Sequence, residues 1–304
     1  YVFGALIKEK QAAYMLMRKH KITSPCYRLQ VLYSLHTMVV MQLIDDAVNN
    51  IQELHIQGAT NVALAVVDTL ETLTHQTPDI SFTSLLQIGN RLATARPNEP
   101  LAQNAVRYIF SDKTTSILVK IKEYRSFIEN GIHTTAESGI QLIAHSGTYL
   151  TICHSSTTVA LFQKAHERGT TFRLYVSETR PRFQGRITAK ELLDAGIKDI
   201  TMVVDSVAVA LLEGHISNID AVFIGADLLS DTGFVNKVGS LALASAANRN
   251  TIPVYVLSTL LKFDPSSFNP SMIETRSADE IWKDAPPDLK FFSPAFDFVP
   301  YSPN

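Results

Sequence analysis

Apolar residues recur at helical spacing through the first part of the chain. Between residues 6 and about 75, long stretches free of Gly and Pro carry Leu32, Leu35, Val39, Leu43 and Val48, which predicts helices. Gly58-Ala59 interrupts the pattern, and Thr60 or Asn61 is placed to cap a helix that continues through Val62, Val66, Leu70 and Leu73. A turn-rich stretch, Arg96-Pro97-Asn98-Glu99-Pro100, precedes a further helical run over 116–146. After Gly147 short β-branched runs alternate with amphipathic segments, the pattern of βαβ units around a parallel sheet. Strands are predicted over 149–153, 172–177, 200–204, 221–225 and 253–257, with helices between them. The fold class is therefore α/β: an N-terminal helical region over 1–146, then a Rossmann-like doubly wound parallel sheet over 147–304 that carries the site. A length of 304 residues exceeds the usual single domain and accommodates this division. No internal repeat or low-complexity segment speaks for a solenoid.

Composition narrows the partners. Apolar residues at 46% and charged residues at 18% are ordinary for a globular protein. A formal charge of -2 argues against a basic nucleic-acid surface while leaving room for a local basic pocket that takes a small phosphorylated anion. Two cysteines, Cys26 and Cys153, are too few for a disulfide framework, so the expected compartment is the reducing cytoplasm. Asp45, Asp46, Asp205 and Glu213 break the longest apolar stretches below the roughly 18 to 20 residues of a membrane span, so no membrane association is expected. The chain opens at Tyr1 without a signal pattern, which suggests an excised portion of a longer protein with a further domain upstream.

Ligands of open α/β sheets bind beyond the carboxyl ends of the strands, so the residues at those ends carry the information. They are Cys153-His154-Ser155-Ser156, Glu178-Thr179-Arg180-Pro181, Asp205-Ser206, Asp227 and Ser258-Thr259. Helix capping accounts for Ser, Thr and Asp taken singly, but not for Cys and Arg. Cys153 has two readings. It is either a small buried apolar residue or a thiol with a lowered pKa at the start of a helix beginning near Ser156. Asp227 follows the apolar run Ala221-Val222-Phe223-Ile224-Gly225-Ala226. It is either an N-cap or a carboxylate raised toward acid–base use by a low-dielectric wall. Arg180, Arg182, Asn236, Lys237 and Lys262 offer donors for phosphate. Each basic residue taken alone reads as a solvated charge, but together they follow strand ends. Asp231-Thr232-Gly233 is a turn signal that puts Lys237 on a loop, and Arg180 and Lys237 are expected to share one anion site beside the helix after Cys153.

The ordered series Thr151-Ile152-Cys153-His154-Ser155, Ser177-Glu178-Thr179-Arg180-Pro181-Arg182-Phe183-Gln184-Gly185, Gly225-Ala226-Asp227, Val235-Asn236-Lys237-Val238-Gly239 and Lys262-Phe263-Asp264 resembles a known family. That family joins the α, β and δ subunits of translation initiation factor 2B with sugar-phosphate isomerases. The resemblance runs from about Gln57 to Ser293-Pro294-Ala295-Phe296-Asp297, and roughly the first 30 residues match nothing in it. It implies a catalytic pair at Cys153 and Asp227, which the regulatory subunits lack. It also implies substrate contacts from Gln57, Gly58, Ala59, Arg96, Ser155, Arg180, Gln184, Asn236, Lys237 and Lys262. Gln57 stands where the family usually has Arg, and Ile152 where the isomerases often have His.

Cys153-His154-Ser155 and the Pro294-Ala295-Phe296-Asp297 tail look closer to isomerases of ribose 1,5-bisphosphate than to those of methylthioribose 1-phosphate. The implied chemistry is aldose-to-ketose isomerisation of a phosphorylated ribose, with Asp227 moving a proton at the ring oxygen and Cys153 moving one between the first and second carbons. Neither step needs a cofactor. Metal-ligand spacing and the dinucleotide glycine fingerprint are both lacking, so neither zinc nor NAD is expected. The family implies a homodimer or a higher assembly of dimers. The competing classes are a non-catalytic subunit that senses a nucleotide or sugar phosphate through the same pocket, and a scaffold whose pocket is vestigial.

Overall fold

A computed structural model describes residues 25–214, 217–265, 269 and 273–301. The helical reading of residues 6–24 lies outside the described residues, as do the side chains of Cys26, Leu32 and Leu35. Helices α1 (Pro25–Gln52), α2 (Ala59–Gln76), α3 (Phe82–Ala93), α4 (Pro100–Ile109) and α5 (Ile117–Gly139) come first. Their limits follow local chemistry. Leu54 and Gly58 adopt left-handed φ values of 60° and 82° between α1 and α2, the Ser81 hydroxyl caps α3 by accepting from Ser84 N, and Pro100 opens α4 where no N–H is needed. The run expected over 116–146 stops being α-helical at Gly139 and passes into a single 3₁₀ turn, Ile140–Leu142.

α2 is central to this group. Val62, Val66, Leu70 and Leu73 recur every three or four residues, are fully buried, and pack with α1, α3, α4 and α5. Each such side chain contributes roughly 1.5–3 kcal/mol of hydrophobic stabilisation.

The second half forms the expected parallel sheet: β1 (Gly147–Thr151), β2 (Phe172–Ser177), β3 (Ile200–Val203), β4 (Ala221–Gly225) and β7 (Val254–Leu257), in the order β3-β2-β1-β4-β7. Helices α6 (Ser156–Glu167), α7 (Gln184–Asp194), α8 (Asp205–Leu211) and α9 (Ser240–Arg249) connect them. The strands alternate between two apolar faces. Tyr149 and Phe223 pack with Phe162 and Ala165 of α6, whereas Leu150, Val222 and Ile224 pack with Ala208 of α8 and Leu243 of α9. Both faces are covered at the centre of the sheet, where β4 reads as a continuous apolar run, whereas Thr201 and Met202 of β3 are exposed.

One feature departs from the expected all-parallel sheet. β5 (Leu228–Leu229), β6 (Gly233–Lys237) and β8 (Phe296–Pro300) form a small antiparallel sheet. Asn236 and Lys237, expected on a loop, instead end β6 and are buried, because the Asp231-Thr232-Gly233 turn leads directly into a strand paired on both sides. From β1 the chain winds outward through β2 and β3, then returns to place β4 on the other side of β1. The crevice at this reversal opens beyond the carboxyl ends of β1 and β4.

Candidate active site

Cys153 lies two residues past β1, in the left-handed region at φ 68°. That conformation costs a non-glycine residue roughly 1–3 kcal/mol and persists only where neighbours fix it. Here Cys153 N donates to Thr179 Oγ1 at 2.8 Å, and its carbonyl accepts from Thr188 Oγ1 at 2.9 Å. Thr179, itself at φ 64°, is held in turn by Asp205. The Asp205 carboxylate accepts from Thr179 N at 2.8 Å, from Arg180 N at 2.7 Å and from the Ser177 hydroxyl. The thiol points its hydrogen toward Gln184 Oε1, 3.6 Å away. Although α6 starts close by, capped by Ser155 Oγ accepting from Thr158 N at 3.4 Å, the thiol is not acidified as the sequence led us to expect. Burial pushes it up to about 11, outweighing the Lys237 ammonium that favours the thiolate.

Asp227 lies two residues past β4 and is tied to β6 by its N–H, which donates to Val235 O at 2.8 Å. The approach of β4 to α6 requires a glycine just before it. A Cβ on Gly225 would sit 2.7 Å from both Cβ and Oγ of Ser155, so any side chain would force the two strand ends apart. Lys262 is buried beside Asp227 and donates from Nζ to Ala226 O at 2.7 Å. Burial lowers the pKa of its ammonium, opposed by the charge of Asp227.

Cys153 and Asp227 line one cavity of about 120 Å³. Gln57, Gly58, Ala59, Arg96, Ser155, Gln184, Asn236, Lys237 and Lys262 line it too. Gln57 donates from Nε2 to Leu54 O at 2.9 Å and accepts from Gln184 Nε2 at 3.5 Å, so it links the helical layer to α7. Asn236 donates to Ser240 Oγ at 2.8 Å. Lys237 is buried, makes no ion pair among the described residues, and sets its Nζ 4.8 Å from the Phe296 ring centroid. A desolvated ammonium of this kind is costly without an anion.

Arg180 is the expected site residue that does not reach the cavity. Its guanidinium is exposed, donates to Ile281 O at 3.1 Å and stacks 4.8 Å from the Phe183 ring centroid. Arg182 lines the cavity instead, so the anion site expected from Arg180 and Lys237 is not formed by that pair.

Several lining residues carried no signal that sequence reasoning used. The segment before β8 supplies Glu274, Arg276 and Glu280, which join the basic residues in one ladder. Arg96 pairs with Glu99 at 2.8 Å and Glu274 at 3.3 Å, Arg276 with Glu274 at 3.2 Å and Glu280 at 2.5 Å, and Arg182 with Glu280 at 2.9 Å. Glu99, inside a stretch read only as a turn, is almost wholly buried, and that burial raises its carboxyl to about 7 against the pull of Arg96. The arrangement offers a thiol, the Asp227 carboxylate and the ammonium groups of Lys237 and Lys262 around one small cavity, which suits proton transfer on an anionic ligand. Among the described residues, no group of three or more His, Cys, Asp or Glu is placed to hold a metal ion, and no helix is long and apolar enough to cross a membrane.

The model of the initiation factor 2 subunit family matches residues 55–302. The ribose 1,5-bisphosphate isomerase of Archaeoglobus fulgidus is 29% identical over 276 residues, covering 86% of each chain. The methylthioribose-1-phosphate isomerase of Yersinia enterocolitica is 29% identical, covering 83% of this chain and 79% of that one. Among solved structures, the translation initiation factor eIF-2B of Pyrococcus horikoshii superposes with a TM-score of 0.73 at 22% identity, covering 84% of this chain and 91% of the other.

Proposed function

We propose that this chain, which belongs to the initiation factor 2 subunit family, is an aldose–ketose isomerase that converts ribose 1,5-bisphosphate to ribulose 1,5-bisphosphate. The observation that carries the reading is that Cys153 and Asp227 line one cavity at the carboxyl ends of β1 and β4, with the buried ammonium groups of Lys237 and Lys262 beside them. A phosphate on the anomeric oxygen blocks spontaneous ring opening, so the ring oxygen must be protonated. Asp227 gives that proton as the C1–O4 bond breaks and its electron pair goes to O4. Cys153, as thiolate, takes the proton from C2, and the released pair forms the C1=C2 bond. The proton on sulfur then goes to C1 while the 2-hydroxyl proton goes to Asp227, which leaves the 2-ketone and restores both groups.

Burial favours the neutral thiol at rest, so the thiolate depends on nearby positive charge. Lys237 supplies it permanently, and the opened sugar adds to it at C1. Arg96, Arg182, Lys237 and Lys262, with the N–H groups at the start of α6, hold the phosphoryl groups in this reading. Gln57, Gly58 and Ala59 close the pocket from the helical side, and Gln184 orients the thiol.

The same reading divides the chain at residues 146 and 147. The helices α1 to α4 and most of α5 bury one apolar cluster, and separate clusters line the two faces of the sheet. It places a cytoplasmic enzyme in a two-fold homodimer, the commonest closed assembly, and a concentration-independent monomer mass by light scattering contradicts that part.

The deciding experiment incubates the protein with ribose 1,5-bisphosphate and, separately, with 5-methylthioribose 1-phosphate, with product detection for each. Ribulose 1,5-bisphosphate from the first alone supports the proposal. Turnover of the second alone moves the assignment to the methylthioribose isomerases, a reading favoured by the Yersinia relative. Binding of either without turnover moves it to a non-catalytic sensor.

A further inference from the structure

Glu99 has no part in the chemistry above, yet it lines the cavity and is 1% exposed. Its Oε1 is ion-paired with Arg96 Nη1 at 2.8 Å, while its Oε2 is fully buried and has no partner among the described residues. An ionised carboxylate with one bare oxygen in a dry wall is a costly arrangement. The charges that face it do not relieve it. Arg96 from its own turn and Lys262 after β7 favour its ionised form, whereas Glu274 from the segment before β8 opposes it, as does Asp227 after β4 whenever that group is itself ionised. Desolvation outweighs them all, and the carboxyl holds a proton up to about pH 7.

A protonated Oε2 is a donor in need of an acceptor, and Glu99 is one of the residues that line the cavity. We propose that Glu99 is a ligand-binding residue that works as a neutral carboxylic acid, donating from Oε2 to a phosphoryl oxygen, so that the protein takes up one proton together with its phosphorylated ligand. This rests on reading the cavity as a phosphoryl site. The chemistry fits a tetrahedral dianion in particular, because phosphoryl oxygens only accept hydrogen bonds and the ionised form of Glu99 would repel them. Glu99 thereby adds a donor without adding a further positive charge to a site already rich in cations.

The test measures affinity by thermal shift and calorimetry at pH 7.5 and pH 9.0, for ribose 1,5-bisphosphate and for sulfate, a tetrahedral dianion with no proton of its own to lose. Wild type should lose roughly 20-fold more affinity over that interval than Glu99→Gln, whose amide keeps the donor at every pH. Titration of Lys262 and of the thiol is common to both proteins and cancels in the comparison. Equal slopes overturn the proposal. Should Glu99→Gln not fold, Glu99→Met, which can neither take up a proton nor donate one, replaces it. Calorimetry at pH 8 in buffers of different ionisation enthalpy should show nearly one proton more taken up per sulfate bound by wild type than by the variant, and equal uptake overturns the inference. The sulfate arm separates this idea from the assigned activity. A pH-dependent sulfate affinity without any isomerase turnover sinks the proposed reaction and leaves Glu99 standing, whereas turnover with equal slopes does the reverse.

Discussion

Replacing Asp205 should disable the site without touching it. This carboxylate lines no part of the cavity, but it accepts three hydrogen bonds, from Thr179 N at 2.8 Å, Arg180 N at 2.7 Å and the Ser177 hydroxyl, and Thr179 in turn accepts from Cys153 N. In Asp205→Asn one oxygen becomes an amide that faces the exposed Arg180 N–H, so a charge-assisted bond is replaced by a donor–donor contact that water relieves to about 1 kcal/mol or less. Asp205→Ala removes all three acceptors. Counting roughly 1.5–3 kcal/mol for each of the two part-buried bonds, and little for the exposed Arg180 N–H, gives about 3–6 kcal/mol. That is a large share of the roughly 5–15 kcal/mol that holds a domain folded. Activity should suffer more than stability in the Asn variant. Release of Thr179 and Cys153 from their left-handed conformations moves the thiol, and about 1 Å of misplacement is worth on the order of 100-fold in rate. Urea denaturation gives the first quantity and turnover of ribose 1,5-bisphosphate the second, with the rate of thiol modification reporting on Cys153 directly. If Asp205→Asn keeps kcat within about threefold of wild type and an unchanged urea midpoint, the chain of support from Asp205 to Cys153 is wrong.

Three further outcomes are expected. Cys153→Ser and Asp227→Asn should each lower turnover by on the order of 100-fold or more while melting within a few degrees of wild type, and calorimetric unfolding checks the second half of that statement. Lys237→Ala should weaken sugar bisphosphate binding by roughly 1.5–3 kcal/mol, whereas Arg180→Ala, whose guanidinium faces away from the cavity, should leave the titration unchanged. Glu99 should also tilt stability against pH. The folded chain holds its proton up to about 7 and the unfolded chain only to about 4.5, so this stabilisation is complete below the lower value and lost as pH rises through the upper one. The loss amounts to about 3 kcal/mol, and urea midpoints of wild type and Glu99→Gln at pH 5 and pH 8 measure it.

The parallel sheet was legible because its strands are short apolar and β-branched runs set between helices, with the central β4 buried at every residue. Strand ends then led directly to Cys153 and Asp227, since the reversal of winding at β1 and β4 is a property of topology rather than of side-chain detail. What local pattern could not convey was the environment. A thiol near a helix start looks acidic on paper, but its pKa depends on how much water the rest of the chain removes, and here desolvation prevails over the nearby Lys237 and Lys262 charges. The same blindness hid Glu99, a residue whose turn-like neighbours Pro97 and Pro100 gave no hint that it would be enclosed by segments more than a hundred residues away. Arg180 shows the converse error. Being next to a strand end fixes where a backbone goes, not which way a long side chain turns, and its neighbour Phe183 gives the guanidinium a surface to rest on. β5 escaped because two residues are too few for a periodic signal, and Asn236-Lys237 pair with Asp297 and Phe296 of β8, about sixty residues on, a partner that local pattern cannot supply.

The antiparallel strand β8 sets the order of events in time. Its first residue, Phe296, carries the ring against which Lys237 and Arg96 rest, while the opposite wall comes from as early in the sequence as Leu54. A ribosome therefore completes the parallel sheet, with Cys153 already in its bend, well before the pocket has its last wall. In refolding, contacts of such sequence separation form late, so helical and sheet signals should recover ahead of ligand binding. Competence of the site therefore waits for β8 to pair with β6, and arrives as a closing step rather than growing with the sheet.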